Sequence, residues 1–383
     1  LFNEYAGICR FVWNKFLALN LKRLADRQLI LRFYEMSFWV TLWKKSDEYS
    51  FLKICPRQLL TNKLRDMDKA FRLAFDKSRP SMHIPKFKKK FQCERLQFTQ
   101  NIKVSHDQVY LTGIGWLKFR KSRDIVGTPN CIHVSRKGKH WYVSIQTIYE
   151  KSTPIHSSKS MVGIDVGVVN FITLSTGETV KSISAYKHNK TALAKAQRDL
   201  ARKVKRSNNY YKQILVIQKL HEKIANTRKD FIHKCTNNIS KNHAIVVLED
   251  LRIRNMTRSA TGTLEKPGSN VQAKKGLNRS ILDQGWAELG RQLEYKQHQA
   301  GGEVLYVDAR YTSQTCPNCL HVSADNRKSR NAFVCVECNH NGPADVVAAV
   351  NIKRAGHARL ACGDIDSVRG RAQEPLLAAY ALN

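Results

Sequence analysis

Residues 311–355 read YTSQTCPNCLHVSADNRKSRNAFVCVECNHNGPADVVAAVNIKRA, and two signals are fused in them. The first is a pair of cysteine knuckles, Cys316-x-x-Cys319 and Cys335-x-x-Cys338, separated by residues 320–334. Each C-x-x-C turn puts two thiolates on one side of the chain, and two such turns supply the four sulfur donors that Zn²⁺ favours. The second is Asp345, which opens an apolar run, residues 346–352, suited to a buried helix. An acid fixed directly behind a zinc ribbon gains meaning from two upstream strands that each deliver another carboxylate.

The first of these is MVGIDVGVVNFITLSTGE, residues 161–178, which reads as strand, turn, strand with Asp165 closing an apolar run and Gly167 just beyond it. A glycine beside a strand-end carboxylate lets a ligand approach without a side chain in the way. The second is AIVVLED, residues 244–250, a buried strand ending in Glu249 and Asp250. Strand alternation sends these two acids to opposite faces, so only one can enter a given site. Asp165, Glu249 and Asp345 repel one another if they converge, unless divalent cations lie between them. With two Mg²⁺ ions roughly 3.5–4 Å apart such a trio suits phosphodiester hydrolysis. The plainer alternative is that each acid is a cap or a surface residue.

Between these strands, residues 187–236 read as a long basic helical hairpin. Leu193, Leu200 and Val204 form one apolar stripe, and Ile217, Leu220, Ile224 and Phe231 a second, with a break near Ser207. Its cations, Arg202, Lys203, Lys205 and Arg206 among them, outnumber its acids and suit a polyanion. Residues 257–280 are expected as a polar mobile loop, 281–299 as a helix, 302–308 as one more strand, and 357–383 as a weakly ordered tail.

Upstream, residues 1–78 are expected to be helical. Phe2, Tyr5, Cys9, Val12, Phe16 and Leu19 recur at helical spacing, and Leu60, Leu64, Met67 and Phe71 do so again behind Pro56. Phe38, Trp39 and Trp43 are expected in the core rather than as platforms for bases. Pro85-Lys86-Phe87-Lys88-Lys89-Lys90 interrupts the pattern with cations and aromatics that suit a nucleic-acid backbone. Residues 94–150 alternate with a period of two, turn near Gly138, and carry outward cations such as Arg120 and Lys121, so a small barrel or curled antiparallel sheet is expected.

The 383 residues carry 65 Lys+Arg against 31 Asp+Glu, a formal charge of +34. A balance that basic points to nucleic acid as the partner. Two or three domains are expected at this length. Ten cysteines could suggest a secreted scaffold, but four have metal spacing and six are scattered, which is reduced, intracellular usage. Neither a membrane span nor a signal peptide is legible. The chain starts at Leu1, so a few residues are expected to precede it.

GIDVGVVNF around Asp165, VLEDLRIRNM around Glu249, YTSQTCPNC with CVEC, and ADVVAAVNI around Asp345 resemble the TnpB family of transposon-associated RNA-guided nucleases. GICRFVWNKFLALN near the start and the Pro85 stretch extend the resemblance over most of the chain. It implies an α+β multidomain protein. An N-terminal helical and β-barrel lobe would occupy 1–158 (helices 1–78, barrel-like part 79–150), and an RNase H-like (RuvC) α/β nuclease domain 159–309. The zinc ribbon would take 310–342 and the last RuvC helix 343–356. The implied activity is Mg²⁺-dependent cleavage of double-stranded DNA beside a short recognised motif, directed by a guide RNA. Asp165, Glu249 and Asp345 would be the catalytic Mg²⁺ ligands (two ions), and the four ribbon cysteines would hold one structural Zn²⁺. No membrane and no obligate protein partner are implied, and the expected location is a prokaryotic cytoplasm, at the nucleoid when bound to DNA. The other readings are a guided DNA-binding repressor without cleavage and a transposase-accessory nucleic-acid-binding protein. The chain departs from the family where glycine often follows each knuckle, with Leu320 and Asn339 there instead. It also has Val347 where asparagine is frequent and Pro343-Ala344 before the third acid, where Arg or another polar residue is common. Asparagine accepts left-handed backbone more readily than leucine.

Overall fold

The computed structural model describes residues 1–90, 94–138, 140–150, 154–362 and, for the backbone, 378–382. The chain divides into two compact units, Leu1–Lys151 with Glu374–Asn383, and Ser152–Gln373. The division falls a few residues before the boundary expected at 158.

The first unit opens with α1 (Phe2–Ala25), α2 (Phe33–Lys45), a 3₁₀ segment (Asp47–Lys53) and α3 (Arg57–Phe75). Tyr5, Cys9, Val12 and Phe16 of α1 and Leu60, Leu64, Met67 and Phe71 of α3 are all buried, as their spacing requires. The expectation for α2 is corrected. Its buried residues are Met36 and Val40, and Trp43 stacks on Phe16 at 4.7 Å. Phe38 and Trp39 lie off that stripe and are 62% and 43% exposed.

Strands β1 (Arg95–Phe98), β2 (Lys103–Val104), β3 (Gln108–Leu111), β4 (Gly115–Arg120), β5 (Thr128–Lys137) and β6 (His140–Ile148) follow. They form one sheet in the order β1-β5-β6-C-terminal strand-β4-β3-β2, in which every pairing is antiparallel. The C-terminal strand is Ala378–Leu382, so part of the expected weakly ordered tail is paired. Residues 363–377 of that tail lie outside the described residues. Phe98, Leu111, Phe119, Ile132 and Val143 share one core with the three helices, so helices and sheet fold together rather than as two bodies.

The second unit is built on a five-stranded sheet. Its strands are β7 (Met161–Val166), β8 (Asn170–Leu174), β9 (Thr179–Lys181), β10 (Ile245–Glu249) and β11 (Glu303–Val307), in the order β11-β10-β7-β8-β9. β7, β8 and β9 form an antiparallel meander, while β10 and β11 run parallel to β7. Between β9 and β10 come α4 (Ala185–Ala201) and α5 (Asn208–Asn242), with the Ser207 hydroxyl capping α5 through the Tyr210 amide at 3.1 Å. Val204, expected on the α4 stripe, lies past the helix end and is 78% exposed. After β10 come α6 (Ile253–Met256), α7 (Val271–Gln284) and α8 (Trp286–Ala300). Helix therefore begins within the expected 257–280 loop, and the single helix expected over 281–299 is broken by Gly285, whose φ of 77° an L side chain resists.

The ribbon follows β11. It contains β12 (Ala332–Val334) paired with β13 (Asn341–Pro343), and α9 (Ala344–Ala361) leaves it directly. α9 runs five residues beyond the expected end at 356 and lies close against the sheet. A Cβ on Gly163 of β7 would collide with the backbone of Ala349 and Lys353 on α9. One on Gly356 of α9 would collide with Val247 of β10. These two glycines seat the helix, and with it Asp345 in its first turn.

Candidate functional site

Each ribbon knuckle closes in the same way. The Cys316 amide donates to the His321 carbonyl at 2.9 Å and the Leu320 amide to the Cys316 carbonyl at 3.1 Å. Cys335 repeats both bonds with His340 and Asn339. Leu320 and Asn339 both adopt left-handed backbone, with φ of 67° and 55°. Leucine therefore takes the strained conformation at a cost of about 1–2 kcal/mol. Across the knuckles, Cys316 Sγ lies 3.6 Å from Cys338 Sγ and Cys319 Sγ lies 3.5 Å from Cys335 Sγ. All four sulfurs fall within 4.8 Å of one another. Thiolates about 2.3 Å from a tetrahedral zinc are roughly 3.7 Å apart, so the cluster has room for one ion. The His340 amide holds the Cys338 thiol down, at about 7, where thiolate is available.

Two further residues complete the ribbon, Asn326, which sequence reasoning passed over, and Val347, which it noted only as a departure from the family. Asn326 is fully buried; its amide donates to the Gln314 and His321 carbonyls, and its Oδ1 accepts from the Val336 amide at 2.9 Å, joining one knuckle to the other. Val347 packs with Phe333, Cys316 and Cys335, which gives an apolar residue at that position a place in the ribbon's core.

The acids come from three elements. Ile164 faces Leu248 across the parallel β7–β10 pair, so Asp165 and Glu249 come next along neighbouring strands. Neighbouring strands run about 4.8 Å apart, and equal register points both side chains to one face. Asp345 is delivered to the same neighbourhood by α9. Asp165 is pushed up to about 7 by burial first and then by the charges of Glu249 and Asp345; Arg327, from the ribbon, and the Val166 amide pull the other way. Burial also raises Glu249, against the pull of a hydrogen bond from Thr312. Three carboxylates brought together, with burial raising Asp165 and Glu249, make a site short of positive charge, with hard oxygen donors for a cation.

Asn170, at the start of β8, donates to Asp345 Oδ2 at 3.2 Å, and Thr312 donates to Glu249 Oε1 at 2.7 Å. Neither was legible in the sequence as part of this group, because each lies far along the chain from the acid it touches. Gly167 has a structural reason of its own: a Cβ there would strike the carbonyl of Asn170 in the β7–β8 turn. Asp250 is exposed and lines a cleft of about 1590 Å³ along β11 with Asp308 and Arg310, and also a smaller one that Glu249 lines.

The candidate polyanion-binding residues fall in both units. In the first, the segment carrying Lys86, Lys88, Lys89 and Lys90 is docked on α1. Trp13 Nε1 donates to the Lys86 carbonyl at 3.1 Å, Asn14 exchanges two hydrogen bonds with the Lys88 backbone, and Lys88 Nζ sits 3.7 Å over the Trp13 ring. Lys86, Lys89 and Lys90 face solvent. Arg120 is exposed at the end of β4, while Lys121 is paired with Asp124 at 2.7 Å. In the second unit Arg202, Lys203, Lys205 and Arg206 are all exposed at the tip of the α4–α5 hairpin. No helix of the described residues is long and apolar enough to cross a membrane.

Comparisons with known proteins agree on one kind of relative. A family described as "Probable transposase" matches residues 144–260, the TNB domain of Cas12f1-like proteins matches 286–352, and a helix-turn-helix domain matches 1–28. Of those last residues, Phe2–Ala25 form the single helix α1. The chain is 44% identical over 375 residues to "Putative RNA-guided DNA endonuclease InsQ" of Escherichia coli, covering 97% of this chain and 92% of that protein. It is 31% identical over 363 residues to a "Putative RNA-guided DNA endonuclease" of Streptomyces pristinaespiralis, covering 94% and 86%. Among solved structures, Cas12f1 in complex with sgRNA and target DNA aligns over 93% of this chain and 94% of that one, at 17% identity and a TM-score of 0.36.

Proposed function

Since the chain belongs to the TnpB family of transposon-associated nucleases, we propose that it is an RNA-guided endonuclease that cuts double-stranded DNA beside a short recognised motif. The observation that carries the reading is the convergence of Asp165, Glu249 and Asp345, felt in the raised Asp165 carboxyl, in a chain of charge +34. The order β11-β10-β7-β8-β9, an antiparallel meander flanked by two parallel strands, supports an RNase H-like (RuvC) assignment for the second unit.

In this reading Asp165, Glu249 and Asp345 are the catalytic carboxylates and would hold two Mg²⁺ ions. Bound Mg²⁺ supplies an activated water and stabilises the leaving oxygen of the phosphodiester. The chain's own groups set the stage for that chemistry. β7 and β10 fix two carboxylates side by side, α9 brings the third, and Asn170 and Thr312 each hold one carboxylate oxygen by a hydrogen bond. Arg327 brings a positive charge within electrostatic range of Asp165. Cys316, Cys319, Cys335 and Cys338 would hold one structural Zn²⁺, whose four thiolate ligands leave no open position for water. The exposed cations of both units serve a long RNA and its DNA target by contacts to phosphates, which position without reading sequence.

The test is plasmid cleavage by protein purified with its bound RNA, with that RNA sequenced to name the target. Site-specific cutting is expected with Mg²⁺ and should vanish after RNase treatment or chelation. RNA-free protein that cuts the same sites at the same rate would overturn the guided mechanism.

A further inference from the structure

Thr312 stands where the chain leaves the sheet for the first knuckle, and it is 8% exposed. Its hydroxyl has one hydrogen and two acceptors near it, Glu249 Oε1 at 2.7 Å and the Ala309 carbonyl at 3.1 Å. The shorter bond, to a carboxylate, is the stronger. The backbone carbonyl of the same residue accepts from Asn351 Nδ2 at 2.8 Å, and that amide's other hydrogen reaches the Thr315 carbonyl at 2.7 Å. Asn351 is 6% exposed and lies on α9, the helix that carries Asp345. One line of polar contacts therefore joins the second acid on β10, the root of the ribbon, and the helix of the third acid.

We propose that Thr312 is a positioning residue for Glu249, and that Asn351 clamps it to the helix that carries Asp345. The inference rests on the reading of Asp165, Glu249 and Asp345 as a metal site. Glu249 has more side-chain torsions than either aspartate and so has the most freedom to lose its place. The bond to Oε1 restrains rotation of the carboxylate about its last torsion. Groups that orient metal ligands in this way typically alter metal affinity or activity by about 10–100-fold when removed.

The experiment compares Thr312→Val, which keeps the shape and loses the hydroxyl, with Thr312→Ser, which keeps the hydroxyl, each purified with its RNA. Two readouts are taken. One is the Mg²⁺ concentration for half-maximal DNA cleavage. The other is scission of the polypeptide by Fe²⁺ with ascorbate and peroxide, where iron held by the acids cuts the chain beside them without any DNA turnover. Thr312→Val should need about tenfold more of either ion, and Thr312→Ser should recover most of the difference. Unchanged ion dependence in Thr312→Val overturns the inference, as does equal impairment of the Val and Ser variants. Should Thr312→Val melt well below the parent, Thr312→Ala in the same two assays takes its place. Glu249→Gln separates the premise from the inference. If it keeps both cleavage and iron scission, the metal site itself is wrong and Thr312 falls with it. If it loses both while Thr312→Val behaves as the parent, the site stands and the positioning role alone is refuted.

Discussion

The four thiols and the three carboxylates of the second unit are built in opposite ways. The thiols come from two copies of one local turn between residues 316 and 338, each closed by the same pair of backbone hydrogen bonds. The carboxylates come from residues 165, 249 and 345, on two strands and a helix that meet only when the sheet is complete and α9 lies across it. The thiol cluster has room for one ion and lies in the ribbon's core. The acid cluster works against the fold: burial and mutual repulsion push Asp165 up to about 7. A chain keeps such an arrangement for what it does, since burying like charges together costs stability.

The contrast is broken or sharpened most strongly by removing ligands. Asp165→Ala, Glu249→Ala and Asp345→Ala should each reduce cleavage to background while gel shifts show target binding intact. A Glu249→Ala protein that still cuts would remove the acids from the chemistry. Cys335→Ser should lose the zinc, about one per chain in the parent by elemental analysis, and weaken rather than abolish cleavage as the ribbon loosens around Asp345.

Stability separates the clusters by sign. Without divalent ions, Asp165→Asn should melt a few degrees above the parent because a buried like charge is gone, whereas Cys335→Ser should melt below it. The same direction for both would end the contrast. Gly163→Ala tests how the acids are assembled. Its Cβ would meet the α9 backbone, so a loss of about 1–3 kcal/mol is expected together with lower activity, from overpacking at the helix seat. Leu320→Gly should have a smaller effect in the opposite direction, stabilising the ribbon by about 1 kcal/mol through relief of the left-handed leucine. Asp250→Ala should do least of all. Strand alternation turns that acid to the face opposite Glu249, so cutting at the parent's rate is expected.

Much of this was legible in residue order. Helical and strand periods located α1, α3, β7, β10 and β11, because a side chain's face follows from its position in the repeat. The C-x-x-C pairs announced a metal cluster because both thiols of a knuckle lie within one turn, and only two such turns need to meet. The strand-end acids could be named as candidates from the same patterns.

Tertiary structure alone decided the rest. Phe38 and Trp39 are apolar yet exposed, since burial depends on what packs opposite and α2 turns a different stripe inward. Gly163 and Gly356 matter only because α9 lies against them. Asn170 and Thr312 reach their acids, and Asn351 reaches the ribbon root, across long stretches of chain that no local pattern spans. Sequence spacing governs contacts within a turn or a repeat. Contacts between distant segments exist only after the packing of whole elements has closed the loops between them.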